Sequence, residues 1–460
     1  MEPAIVETKR HPFQLESLSV TAANRAAAVR WLALGVAALG GAGLFAVVLV
    51  LSRAPFVSAL FPNVDLFRVS LVVHVDLSVL IWFLAFGCVI WSLAQAGDPE
   101  RRGPGFVLAA GGTLLVALSP LLGAGIPSLN NYVPVLQEPW FLAGLAVFSA
   151  GVLLQVVTGL HSGPPLRQGN VLVVGAYTAQ LAVLVAAVSL VFSWLQLRGA
   201  PYTGQAYYEL LFWAPGHTLQ FAYTQLLMVT WLWLAVGSGV AAPLGSGALV
   251  VLLWLGLLPV AAVPLLQLMT EIGGAEQRLA FTRLMQFGGI VPAVPVGVAL
   301  LVACWRAAPP EAANRPVRAA LHASLLLFGV GGVVGFLIRD VNTVIPAHYH
   351  GSIAGVTMAF MGATYHLLPR LGFGRPRGRV ARWQPWVYTS GQLLHVAGLA
   401  LSGFLGIQRK TAGAAQGLDS VTKATMGVMG LGGLLAIIGG VLFVVVVLLS
   451  LRRRGGGEEF

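Results

Sequence analysis

A chain of 460 residues that is 57% hydrophobic and only 9% charged excludes a soluble globular domain. With a mean hydropathy of +0.83 it reads as a polytopic membrane protein. The net charge of +11 reads as arginine-rich loops on one side of a bilayer and excludes a nucleic-acid partner. The two cysteines, Cys88 and Cys304, lie in apolar runs without a CxxC or CxxCH, which excludes a disulfide framework and covalent c-type haem attachment.

In chain order, residues 1–28 are polar, lack a signal-peptide pattern and read as a cytoplasmic tail. Twelve runs long enough to cross about 30 Å of hydrocarbon follow. They fall at 29–52, 68–96, 105–127, 139–161, 170–196, 207–236, 247–269, 280–305, 319–338, 342–369, 384–406 and 425–451. Connections are short and no internal repeat appears, so 29–452 is expected to be one twelve-helix membrane domain and 453–460 a tail. With the N-terminus inside, 18 of the 27 Lys and Arg fall in inner segments. That bias predicts N-in, C-in and a multi-pass protein of a bacterial or archaeal plasma membrane.

The stretch from Asp340 to Arg370 carries three of the nine histidines. His348 and His350 are two residues apart, so on a helix their imidazoles leave about 200° from each other and can serve one metal on each side. His74 opens span 2, His217 opens span 6, and His348 and His350 open span 10. Even spans run from outside inward, so all four share a depth, about 10–15 Å below the start of each helix. Ionisable groups at membrane depth are costly and mark function. His11, His161, His322, His366 and His395 share no such level and read as capping or core residues.

Neutral imidazole suits haem iron. His74 and one histidine of span 10 can clamp a low-spin haem. The other span 10 histidine can hold a second haem by one bond, with His217 near its open side. Arg409 and Lys410, after span 11 at the same outer level, suit haem propionates.

These segments resemble the catalytic subunit I of the haem–copper oxidase superfamily over nearly the whole chain. PAHYHGSIAGVTMAFMGATYHLLPRL is similar to that family's tenth helix, LFWAPGHTLQF to its sixth and LVVHVDLSVLIWF to its second. AEQRLAFTRLMQFGGIVPAVPVG resembles the start of its eighth helix, and GFLGIQRK its propionate-binding turn. Five such segments in order make the likeness specific. The resemblance implies His74 and His350 as low-spin haem ligands and His348 as the proximal ligand of a high-spin haem. It implies propionates on Arg409 and Lys410, and His217 as a copper ligand.

The pattern breaks in span 7. The family holds copper, or non-haem iron in its nitric oxide reductases, with two further histidines there, whereas this chain has Leu266 and Gln267. One imidazole does not hold copper firmly. The sixth-helix tyrosine position is Phe221, with Tyr223 about 200° away, and the position of a proton-channel lysine is near Ala299. Glu138, Glu209 and Glu271 are outer carboxylates that can serve protons from outside or, as loop carboxylates more often are, be simply solvated.

The reading is a dihaem membrane cytochrome of a respiratory chain, passing electrons to a high-spin haem that binds O2 or NO, with the copper centre absent. Expected partners are membrane lipid, other respiratory subunits, and an external cytochrome c or cupredoxin, or quinol. The alternatives are a non-catalytic haem-binding partner or sensor subunit and a twelve-helix secondary transporter. Against the transporter, no paired broken half-helices appear.

Overall fold

The computed structural model describes residues 20–54, 64–94, 103–123, 125–161, 170–411 and 417–453. His11 and most of both predicted tails lie outside the described residues. The first helices are α1 (Ala22–Arg53), α2 (Val64–Val75) and α3 (Trp82–Ala94), the last two joined without a break by a π-helical stretch, Asp76–Ile81. Then come α4 (Gly103–Leu122), a hairpin of β1 (Ile126–Ser128) and β2 (Val135–Gln137), α5 (Pro139–Leu160), α6 (Val171–Leu197) and α7 (Gly204–Gly237). The rest are α8 (Ser246–Leu255), α9 (Leu258–Met269), α10 (Ala275–Gly288), α11 (Ile290–Arg306), α12 (Arg315–Gly335), α13 (Val344–Arg370), α14 (Gly378–Phe404) and α15 (Ser420–Leu451).

Among the described residues, ten helical runs are long and apolar enough to cross a membrane, counting α2–α3, α8–α9 and α10–α11 as one run each. Helices α13 and α14 are 27 residues each, about 40 Å at 1.5 Å per residue. They fall outside that set because α13 carries three histidines and α14 carries Arg379, Arg382, Gln384, Gln392 and His395.

Three departures from the predicted spans have local causes. Helix α4 stops at Leu122, and Ile126 and Pro127, predicted as its end, form β1 instead. Gly123 and Gly125, at φ +123° and +59°, turn the chain there. Span 7 divides at Gly256, where the Gln225 amide donates to the Leu253 carbonyl that the turn releases, at 2.8 Å. Span 8 divides at Gly289, beside Gly288, a glycine pair that relaxes the helix.

The runs α2–α3 and α7 are the most deeply packed of the ten. From Ala354 to Pro369 every residue of α13 is buried. These three rods carry His74, His217, His348 and His350, so the histidines sit at the middle of the bundle. Lipid tails are as apolar as leucine, so close packing of small residues decides helix association here. Gly331 of α12 and Gly351 of α13 meet backbone to backbone; a Cβ on Gly351 would stand 2.5 Å from the Gly331 Cα. Phe86 of α3 stacks on Phe360 of α13, with centroids 4.3 Å apart and planes at 13°.

A candidate haem site and the pocket at His217

The close approach of α12 and α13 has a direct consequence for His348. Its Nδ1 reaches the Gly331 carbonyl at 2.7 Å, and a Cβ on Gly335 would stand 2.7 Å from the same nitrogen. His74 is held alike, with Nδ1 2.9 Å from the Ala42 carbonyl of α1, and His395 of α14 with Nδ1 2.9 Å from the Met429 carbonyl of α15. A carbonyl only accepts, so in each ring Nδ1 carries the proton and Nε2 keeps its lone pair. That is the tautomer a metal-binding imidazole needs, fixed by the outer hydrogen bond.

His350 stands edge-on to His395, with centroids 4.6 Å apart and rings at 67°, and His74 lies within electrostatic reach of both. His74, His348 and His350 keep accessible surface although Val72, Val73 and Ala347 beside them are fully buried. Sequence reading missed two members of this cluster. His395 was expected only to be a core residue, and it packs directly on His350. Arg53, at the end of α1, has buried Nε and Nη2 atoms with no hydrogen-bond partner among the described residues. Its charge is felt at Tyr349, His350 and His395. An orphaned guanidinium beside imidazoles with open lone pairs fits a haem, whose polar substituents need a cation. An Arg ending an apolar span was the available signal.

The loop after α14 is tied to the start of α13. Thr343 N donates to the Ile407 carbonyl at 3.0 Å, Thr343 Oγ1 to the Leu399 carbonyl at 2.9 Å, and Asn342 pairs with Gln408. This places Arg409 and Lys410 at the histidine end of α13. Arg409 donates to Asn131 Oδ1 at 3.0 Å, and Lys410 Nζ donates to the Leu129 carbonyl. Burial first, then the neighbouring Arg409, lowers the Lys410 ammonium to about 8, against the opposing pull of Glu209. Glu209 is not simply solvated: it accepts from Asn131 N at 2.8 Å and from the Asn131 side chain. Glu138 caps α5 by accepting from Phe141 N at 3.0 Å. Glu271 is exposed as expected.

His217 lies in a different setting. Its Nδ1 donates to the Trp213 carbonyl at 2.7 Å, so Nε2 is again the acceptor. Here the Tyr132 hydroxyl takes that lone pair at 2.8 Å. Burial, reinforced by Glu209, holds the Tyr132 phenol well above its ordinary value against Arg409, so the hydroxyl remains the donor. Tyr132 comes from the hairpin loop, at φ +64°, which costs about 1–2 kcal/mol for a residue with a Cβ. Its ring lies against Gly216, where a Cβ would stand 2.4 Å away. Trp213 and Phe281 complete an aromatic box at 4.6 and 5.8 Å between centroids.

The two span 7 positions expected to supply further copper ligands are engaged elsewhere. Leu266 packs into the apolar cluster of Ala214, Val263 and Phe281, and Gln267 donates to Ser189 O at 3.2 Å and Ser193 Oγ at 3.1 Å, toward α6. Phe221 faces Gly288, whereas Tyr223 packs on Phe83 at 4.9 Å, near Asp76. Asp76, two residues after His74, is buried with neither carboxylate oxygen partnered among the described residues. An acidic residue inside an apolar span was a visible signal for it.

The fold matches that of a haem–copper terminal oxidase dimer solved by electron cryo-microscopy, with a TM-score of 0.74 and 16% identity, over 96% of this chain and 86% of that one. An uncharacterised protein of Rickettsia prowazekii (strain Madrid E) is 29% identical, covering 92% of this chain and 95% of its own. An uncharacterised protein of Aquifex aeolicus (strain VF5) is 27% identical over 77% of this chain and 88% of its own. The family model described as cytochrome c and quinol oxidase polypeptide I matches residues 26–442. With that match over nearly the whole chain, the chain belongs to the polypeptide I family of the haem–copper oxidases, integral membrane haem oxidoreductases of respiration.

Proposed function

We propose that this subunit is a dihaem electron-transfer protein without a copper centre, built on twelve crossing helices with both termini inside. His74 and His350 hold the low-spin haem, and His348 holds the high-spin haem on the other face of α13. Arg409, Lys410 and Arg53 take the polar substituents. Bound haem would supply one-electron transfer and the capacity to bind O2 or NO. Every remaining task falls to the chain: the Gly331, Ala42 and Met429 carbonyls fix the imidazole tautomers, and the aromatic box around His217 excludes bulk water from the gas pocket. Electrons enter from an external cytochrome c or cupredoxin, or from quinol, through partner subunits.

The observation that carries this reading is the contrast in Nε2. At His74 and His348 no hydrogen bond from the described residues occupies it, and at His217 the Tyr132 hydroxyl does. A reduced-minus-oxidised spectrum with and without carbon monoxide, combined with metal analysis, tests it. The expected result is two haems per chain, one of them shifted by carbon monoxide, and no stoichiometric copper. One copper per two haems overturns the copper-free reading. Haem without a carbon monoxide shift overturns the gas-binding part and leaves a non-catalytic haem partner.

A further inference from the structure

The loop between β1 and β2 lies along one face of α7. Its residue Asn131 meets Glu209, and the next residue, Tyr132, meets Trp213, Gly216 and His217. Positions 209, 213, 216 and 217 follow the three-and-four spacing that puts side chains on one side of a helix. Glu209 lies two turns before His217, about 12 Å along the axis. Two adjacent loop residues are therefore tied to one rigid rod at two points.

The loop needs such a hold. Val133 N donates to the Asn131 carbonyl at 2.8 Å, which makes Tyr132, at φ +64°, the centre of a γ-turn of the strained hand. The tie at Glu209 is the strong one by type. One carboxylate oxygen accepts from Asn131 N at 2.8 Å and the other from Asn131 Nδ2. The Asn131 amide is also fixed in orientation, because its Oδ1 accepts from Arg409 at 3.0 Å. With a cation on its oxygen and a carboxylate on its nitrogen, turning it over would set donor against donor.

We propose that Glu209 is a positioning residue for His217. Through Asn131 it holds the strained turn that delivers the Tyr132 hydroxyl to Nε2, and so sets whether that lone pair is closed. Glu209 acts through the loop and touches neither ring. The functional weight of this inference rests on the reading of His217 as a wall of the gas pocket, whereas the hydrogen-bond chain stands without it.

The test reads the lone pair directly. The full chain, with histidine carrying an NMR-active nitrogen isotope, is placed in lipid, and the His217 Nε2 resonance is recorded by solid-state NMR and assigned by its loss in His217→Gln. A nitrogen whose lone pair loses a hydrogen bond moves downfield, and Tyr132→Phe supplies the position of the open state. Glu209→Gln keeps the side-chain shape but sets one amide NH2 against another, and Asn131→Asp sets two carboxylates together. Each is expected to move the resonance most of the way to the Tyr132→Phe position. The double variant, Glu209→Gln with Asn131→Asp, exchanges donor and acceptor and is expected to return it to the wild-type position; it decides the matter if a single variant misfolds. A wild-type resonance already at the Tyr132→Phe position, single variants that leave it in place, or a double variant that fails to restore it overturns the inference. Carbon monoxide recombination on the same samples is expected to follow the NMR order. No carbon monoxide band in any sample ends the gas-pocket reading and leaves the NMR result to decide the role of Glu209.

Discussion

His74 and His217 begin from the same arrangement. Each donates Nδ1–H to a backbone carbonyl, at 2.9 and 2.7 Å, so each has its lone pair on Nε2. At His74 that nitrogen meets no donor among the described residues, and the residue keeps accessible surface inside the bundle. At His217, 2% exposed, it accepts from Tyr132, a residue brought in at a strained backbone angle and seated on Gly216. The contrast teaches that two imidazoles with the same tautomer can present their second nitrogen differently. One is left open by its surroundings among the described residues, and the other is satisfied by a phenol.

The largest test of that contrast removes an open imidazole. His350→Ala is expected to lower haem content from two to one per chain and abolish the low-spin bands, while His395→Phe retains both haems. Haemochrome assay and optical spectra read this, and the opposite pattern would exchange the two ligand roles. The next reverses the closed site. Leu266→His with Gln267→His and Tyr132→Phe is expected to take up about one copper per chain. The same two histidines with Tyr132 retained bind copper about fivefold more weakly, since the hydrogen bond, worth about 1 kcal/mol, must first be broken. Equal uptake by both variants, measured by elemental analysis and dialysis, would remove Tyr132 from the explanation.

A third test addresses the orphaned cation. Replacing Arg53 by Leu removes a positive charge that favours the reduced haem, so the low-spin midpoint potential falls by several tens of millivolts in a redox titration, where about 59 mV is tenfold for one electron. A fourth concerns pH. Lys410, lowered to about 8 by burial, carries its charge below that pH and loses it above. Positive charge near a haem raises its potential, so the potential falls as pH rises through 8, or through a somewhat higher value once propionate supplies a counter-charge. In Lys410→Met this step is missing. The smallest effect belongs to a carboxylate outside both regions. Glu138→Gln weakens the α5 cap by about 0.5–1 kcal/mol, seen as a lower thermal midpoint with unchanged spectra.

The histidine-bearing helices were legible because apolar runs of membrane length and the HxH spacing are local. His348 and His350 leave opposite sides of α13 because an α-helix turns 100° per residue, and no tertiary information is needed to know it. Tyr132 was invisible for the opposite reason. Its bond to His217 joins residues 85 apart through a loop with no periodic signature. His395 and Arg53 each sat in view, one in mid-span and one at a span end. Only the packing of α14 against α13 brings His395 to His350, and only tertiary packing brings Arg53 within electrostatic reach of Tyr349, His350 and His395. The predicted end of span 3 failed at Gly123 and Gly125, whose positive φ angles outweighed the hydropathy of Ile126 and Pro127.

The π-helical stretch from Asp76 to Ile81 begins two residues after His74 and holds one residue more than an α-helix of the same height. That surplus acts as a phase shifter. Everything on one side of it is rotated by about 100° relative to the direction an uninterrupted α-helix would give. The imidazole of His74 and the aromatic side chains of Trp82 and Phe86, which pack on α13, are therefore aimed independently of each other. A one-residue deletion in this stretch would return the helix to its ordinary pitch. It would leave either the ring or the aromatic contacts pointing the wrong way, so a length change here carries a penalty that no single substitution at Leu77 or Val79 would reveal.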